Sequence, residues 1–61
     1  MLNLQEIEIF RMLIKSQDIK DILKDMFQVD FIMYQRFAKY SLDNGLITSD
    51  ELMHEIKELK Q

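Results

Sequence analysis

The chain contains no proline and a single glycine, Gly45. These two residue types are the strongest local punctuation available to a polypeptide, so their near absence leaves helix as the default conformation. With a helical step of about 100° per residue, residues 18–27 (DIKDILKDMF) divide into two sides. Ile19, Ile22, Leu23, Met26 and Phe27 share one, and Asp18, Lys20, Asp21, Lys24 and Asp25 share the other. The pattern predicts an amphipathic helix with an ordinary solvated charged face, its two lysines offsetting much of the acid.

Residues 2–15 are also helical in rhythm, but their apolar positions form two stripes. Leu4, Ile7, Phe10 and Ile14 make the first; Leu2, Ile9 and Leu13, with Met12 at the margin, make the second. A helix that is hydrophobic on two sides needs cover on two sides. Were residues 2–27 one straight helix, its apolar side would rotate by about a third of a turn on crossing Ser16, Gln17 and Asp18. A break is therefore expected there, with Ser16 or Asp18 capping the second helix.

A third helix fits about residues 30–43. Phe31, Tyr34, Phe37, Ala38 and Ser41 follow the spacing of one face, Val29, Met33 and Tyr40 widen it, and the small Ala38 and Ser41 allow a neighbouring helix to approach closely. Ile32 falls instead among Gln35, Arg36 and Lys39 on the polar side.

The segment LDNGLITSDEL (42–52) reads at first like the second half of a calcium-binding EF-hand loop, with Asn44, Gly45, Ile47 and Glu51 at its fifth, sixth, eighth and twelfth positions. Such a loop also needs oxygen ligands at its first and third positions. Tyr40 and Leu42 stand there, and neither supplies a carboxylate. Helix capping accounts for the same residues. Gly45 can adopt the left-handed conformation that ends a helix, with Leu46 folding back onto the last turn. Thr48 and Glu51 are spaced as a capping box, and Ile47 and Leu52 as a hydrophobic staple. The fourth helix, about 49–60, then carries a narrow stripe of Leu52, Ile56 and Leu59 with Met53 beside it. The expected fold is a single all-α domain over residues 1–61, a small bundle of three to four short helices (about 2–15, 18–27, 30–43 and 49–60) ending in a helical hairpin.

The stretch from Phe37 to Lys60, above all GLITSDEL followed by a charged amphipathic tail, resembles the SHOCT hairpin, a short module often attached at the C-terminal end of larger bacterial proteins. Leu52 stands where that module commonly has Phe. The resemblance covers under half of the chain, implies an interaction or oligomerisation role without chemistry, and transfers no functional residue.

Catalysis is not expected. Ser16, Ser41, Thr48 and Ser49 all have cap, turn or packing explanations, and there is no cysteine and no glycine-rich phosphate loop. The only histidine, His54, has Asp50 and Glu58 four residues to either side. That spacing can be drawn as a surface metal site, yet these positions face away from Leu52 and Ile56 and are expected to be solvated. No metal and no cofactor is expected. A chain of 61 residues also lacks the walls for a water-excluded pocket of several hundred cubic ångströms, roughly the size of ordinary ligand sites.

Eight Lys and Arg against eleven Asp and Glu give a formal charge of −3, whereas nucleic-acid surfaces show a basic excess. Residues 49–60 can still be drawn as the recognition helix of a DNA-binding helix-turn-helix. That helix, however, would present Ser49, Asp50 and Glu51 first to the phosphates, an unfavourable placement. No run approaches the roughly 18 apolar residues of a membrane span, and MLNLQEIEIF carries acids where a signal peptide needs an early basic region; a cytoplasmic protein is expected.

Protein association is the leading expectation. A domain this small buries only about 60% of the surface its unfolded chain exposes, and it has neither disulfides nor metal to compensate. Yet 48% of its residues are hydrophobic, including five Met, whose flexible side chains suit adaptable contact surfaces. Either the four-helix chain folds over its first helix and covers it within one molecule, or the second stripe is shared across a homodimer. The latter is favoured, with Leu2, Ile9, Met12 and Leu13 as the association face and Ile32, Arg36 and Lys39 as a second set. The expected role is that of a small adaptor or regulator of a larger protein such as a transcription factor, for example in a bacterium or a phage.

Overall fold

Four helices run through residues 3–60, the part of the chain that this computed structural model describes: α1 (Leu4–Ser16), α2 (Ile19–Val29), α3 (Phe31–Asp43) and α4 (Ser49–Leu59). The all-α bundle read from the sequence is the fold observed. Three of the helices start on a side chain that accepts a hydrogen bond from an otherwise unpaired backbone N–H. Asn3 accepts from Glu6 at 2.8 Å, Asp30 from Met33 at 3.1 Å and Thr48 from Glu51 at 3.1 Å. At the start of α4 the Glu51 carboxylate accepts in return from the Thr48 backbone N–H, at 3.1 Å, completing the capping box. At the break after α1, Asp18 takes the cap position, in extended conformation and without a side-chain cap bond. Ser16 belongs to the end of α1 and donates its hydroxyl hydrogen to the Leu13 carbonyl at 3.3 Å.

The stop of α3 uses the one glycine. Gly45 has φ +69°, a conformation that side chains with a Cβ resist. It lets the Leu46 N–H donate to the Ser41 carbonyl at 2.8 Å and the Gly45 N–H to the Leu42 carbonyl at 3.2 Å. These two bonds define a Schellman close. Ile47 and Leu52, the staple pair, are both buried in the same core cluster. The corner between α2 and α3 is tighter still: Asp30, in extended conformation, both ends one helix and caps the next.

α2 packs against each of the other three helices, as its clean division into apolar and charged sides would have it. Ile22 and Leu23 from α2 join Phe10 from α1, Tyr34, Phe37, Ala38 and Tyr40 from α3, and Ile47 and Leu52 in one buried cluster. Phe10 is the hub of its aromatic part. Its ring meets Phe37 edge-on at 5.0 Å and Tyr40 at 5.3 Å between centroids. Each such pair contributes about 0.5–1.5 kcal/mol beyond the area it buries. A second aromatic group, Phe27, Phe31 and Tyr34, closes the α2–α3 corner, with Phe27 edge-on to Tyr34 at 5.2 Å.

Three apolar residues assigned to inward faces by spacing alone lie elsewhere. Leu4, counted with the first stripe of α1, is strongly exposed, and so is Val29, which ends α2 instead of widening the face of α3. Phe31 is about half exposed. All three sit at the first or last position of a helix, where there is no further turn on one side to pack around the side chain. No helix among the described residues is long and apolar enough to cross a membrane.

Candidate functional site

The two stripes of α1 meet different fates. Phe10 is fully buried, and Ile7 and Ile14 pack against the core beside it. Of the second stripe, Leu13 lies partly against the same core, whereas Ile9 is 44% exposed and Met12 70% exposed. Leu2 lies outside the described residues. The helices packed against α1 therefore cover one side of it and its margin and leave Ile9 and Met12 facing outward.

The second set does not form one surface of uniform character. Ile32 is 67% exposed and continues an apolar corner with Val29 and Phe31, on either side of Asp30. Lys39 is exposed on the same helix. Arg36 is tied inward: a single terminal nitrogen, Nη1, donates to both carboxylate oxygens of Glu6, at 2.6 and 2.8 Å. The Arg36 hydrogen bond holds the Glu6 carboxyl below its ordinary range, its charge and the Asn3 backbone act in the same direction, and desolvation partly opposes them.

Beside this pair, α1 and α3 flank an open groove of about 640 Å³. Ile7 and Arg11 line it from α1; Gln35, Arg36, Lys39, Tyr40, Asp43 and Asn44 line it from α3 and its end. Three of these eight side chains are cationic. Arg11 had no assigned role from sequence, because nothing in its local spacing shows that α3 will bring Arg36 and Lys39 alongside. Glu6 did leave a trace. It stands one helical turn before Phe10, on the core side of an amphipathic helix, where a carboxylate needs a partner.

His54 is exposed and lies 3.1 Å from the Glu58 carboxylate within its own helix. Among the described residues no group of three or more His, Cys, Asp or Glu is arranged to hold a metal ion. At the start of α4, the Thr48 backbone and hydroxyl keep the Glu51 carboxyl below its ordinary range. In the core, burial and then the charge of Glu55 push the Tyr34 phenol upward. Neither group opens onto the groove lining, so these shifts belong to capping and packing.

Comparison of the chain with family models, with curated proteins and with solved structures gave no match.

Proposed function

We propose that this chain is a small non-enzymatic protein-interaction module that self-associates through the outer side of α1 and acts as an adaptor or regulator of a larger protein. One observation carries the reading: Ile9 and Met12 remain exposed although α2 and α3 pack against the opposite side of the same helix. A two-fold homodimer would bring this face against its own copy, so a single contact covers the exposed side chains of both copies. Leu13, which already leans on the core, would extend the contact and not centre it. The same reading places the protein in the cytoplasm and assigns it no metal or cofactor. The DNA-binding alternative is weaker, because the first turn of α4 carries Asp50 and Glu51, where phosphates would be met.

Sedimentation equilibrium tests the proposal. The expected result is a mass near twice 7.4 kDa at micromolar concentration, a melting temperature that rises with protein concentration, and a return to 7.4 kDa for Ile9→Asp combined with Met12→Asp. Circular dichroism checks that this variant keeps its helices. A wild-type mass of 7.4 kDa throughout the concentration series would overturn it.

A further inference from the structure

We propose that the groove between α1 and α3 docks an acidic peptide segment of a partner protein, an apolar side chain flanked by carboxylates. The groove gathers Arg11, Arg36 and Lys39, three of the eight cations of a chain whose net charge is −3, against one lining carboxylate, Asp43, and the Glu6 carboxylate already paired with Arg36. Among the described residues, neither Arg11 nor Lys39 has a carboxylate within 4.0 Å. Arg36 is already held in place by Glu6 through Nη1 alone, and its remaining donors are left for a ligand. A guanidinium fixed in advance loses less freedom when it binds a second carboxylate. Ile7 and Tyr40 supply apolar contact beneath the charges, and the volume falls within the range of about 300–1,000 Å³ typical of ligand sites.

A carboxylate segment fits this surface better than a nucleic acid does. The net charge of −3 opposes a polyanion carrying one charge per roughly 1.7 Å of duplex. A short peptide brings few charges and an apolar side chain for the floor. The site is also separate from the dimer face. Residues two positions apart on a helix point in nearly opposite directions, so Arg11 looks away from Ile9, and the docking does not depend on self-association.

The test is a titration of isotope-labelled protein with the capped hexapeptide EELFEE, followed by amide chemical shifts. Saturable shifts centred on Arg11, Lys39 and Tyr40, weakening as salt is added, are expected. Arg11→Glu with Lys39→Glu should bind about tenfold more weakly, since two exposed charge contacts become repulsions. Lys24→Glu with Lys60→Glu, an equal change in net charge away from the groove, should bind as the wild type does. Circular dichroism confirms that both variants are folded, and sedimentation reads self-association separately. The proposal is overturned by the absence of saturable shifts, by equal binding of the groove variant, by equal affinity for the all-glutamate hexapeptide, or by tighter binding of hexathymidylate at the same residues.

Discussion

Glu6 and Arg36 stand 30 positions apart in the chain and meet with one guanidinium nitrogen 2.6 and 2.8 Å from the two carboxylate oxygens. The contact joins α1 to α3 next to the aromatic group of Phe10, Phe37 and Tyr40, and it borders the groove. Its two ends differ in environment. Glu6 is nine-tenths buried, whereas the Arg36 side chain is about half exposed. Removing the arginine therefore leaves a shielded carboxylate without its partner, which is worse than losing the attraction alone. Arg36→Ala should lower the melting temperature more than Lys39→Ala does.

The same pair makes stability depend on acid. Arg36 lowers the pKa of Glu6 in the folded protein from its ordinary 4.5. A carboxylate with a depressed folded pKa stabilises the native state above the unfolded pKa, and that contribution fades as pH falls through the folded value. Thermal melts of wild type and Glu6→Gln should therefore differ at neutral pH and converge as the solution is acidified below 4.5. Parallel curves across that range would show that the charge of Glu6 contributes nothing.

The α3–α4 turn separates backbone strain from crowding. A Cβ added at Gly45 would meet nothing within 4 Å, so Gly45→Ala should lose about 1–2 kcal/mol through the left-handed conformation alone. Gly45→Asn should lose less, since asparagine tolerates that conformation. Thr48→Ala removes the cap of α4 and should cost about 1 kcal/mol. Urea midpoints of the three variants give this ranking directly, and an unaffected Gly45→Ala would contradict the assigned conformation.

Phe10 and Met12 test whether α1 divides as described. A chain of this length has a net stability of roughly 3–9 kcal/mol, and truncating a fully buried Phe removes about 3–5 kcal/mol. Phe10→Ala should be largely unfolded by circular dichroism at ordinary temperature. Met12→Ala should keep the helical spectrum and the denaturation midpoint of the monomer, since its side chain is 70% exposed. Similar losses from both, at concentrations where the protein is monomeric, would mean that the helix is covered on two sides within one chain.

What could be read from the sequence was what neighbours in the chain decide. Thr48, Glu51 and Gly45 act on backbone groups within five residues, so their spacing alone announced the turn. The split side of α2 likewise showed which face the other helices would cover. Contacts between distant segments left no such record. Arg36 and Lys39 looked like free surface cations until α1 supplied Glu6 to one of them and Arg11 beside the other. Leu4, Val29 and Phe31 fit the apolar rhythm of their helices, but periodicity does not say which end positions of a helix its neighbours cover. The groove likewise takes its lining from both α1 and α3, which no spacing within one helix records.

Tyr34 offers a test of core polarity. Its ring is buried in the aromatic corner with Phe27 and Phe31, and its hydroxyl has no hydrogen-bond partner. A phenol desolvated without compensation is a net loss, so Tyr34→Phe should be more stable than wild type by about 1 kcal/mol. The advantage should also depend on pH. Burial, followed by the charge of Glu55, raises the phenol above its ordinary 10.0. Above that value the unfolded chain releases the proton while the folded one retains it, so wild-type stability declines as pH climbs from 10.0 through the raised folded value. Phenylalanine has no proton to release. The difference in denaturation free energy between Tyr34→Phe and wild type should therefore be constant below pH 10.0 and widen above it, and a Tyr34→Phe variant less stable than wild type would show that the hydroxyl has a partner after all.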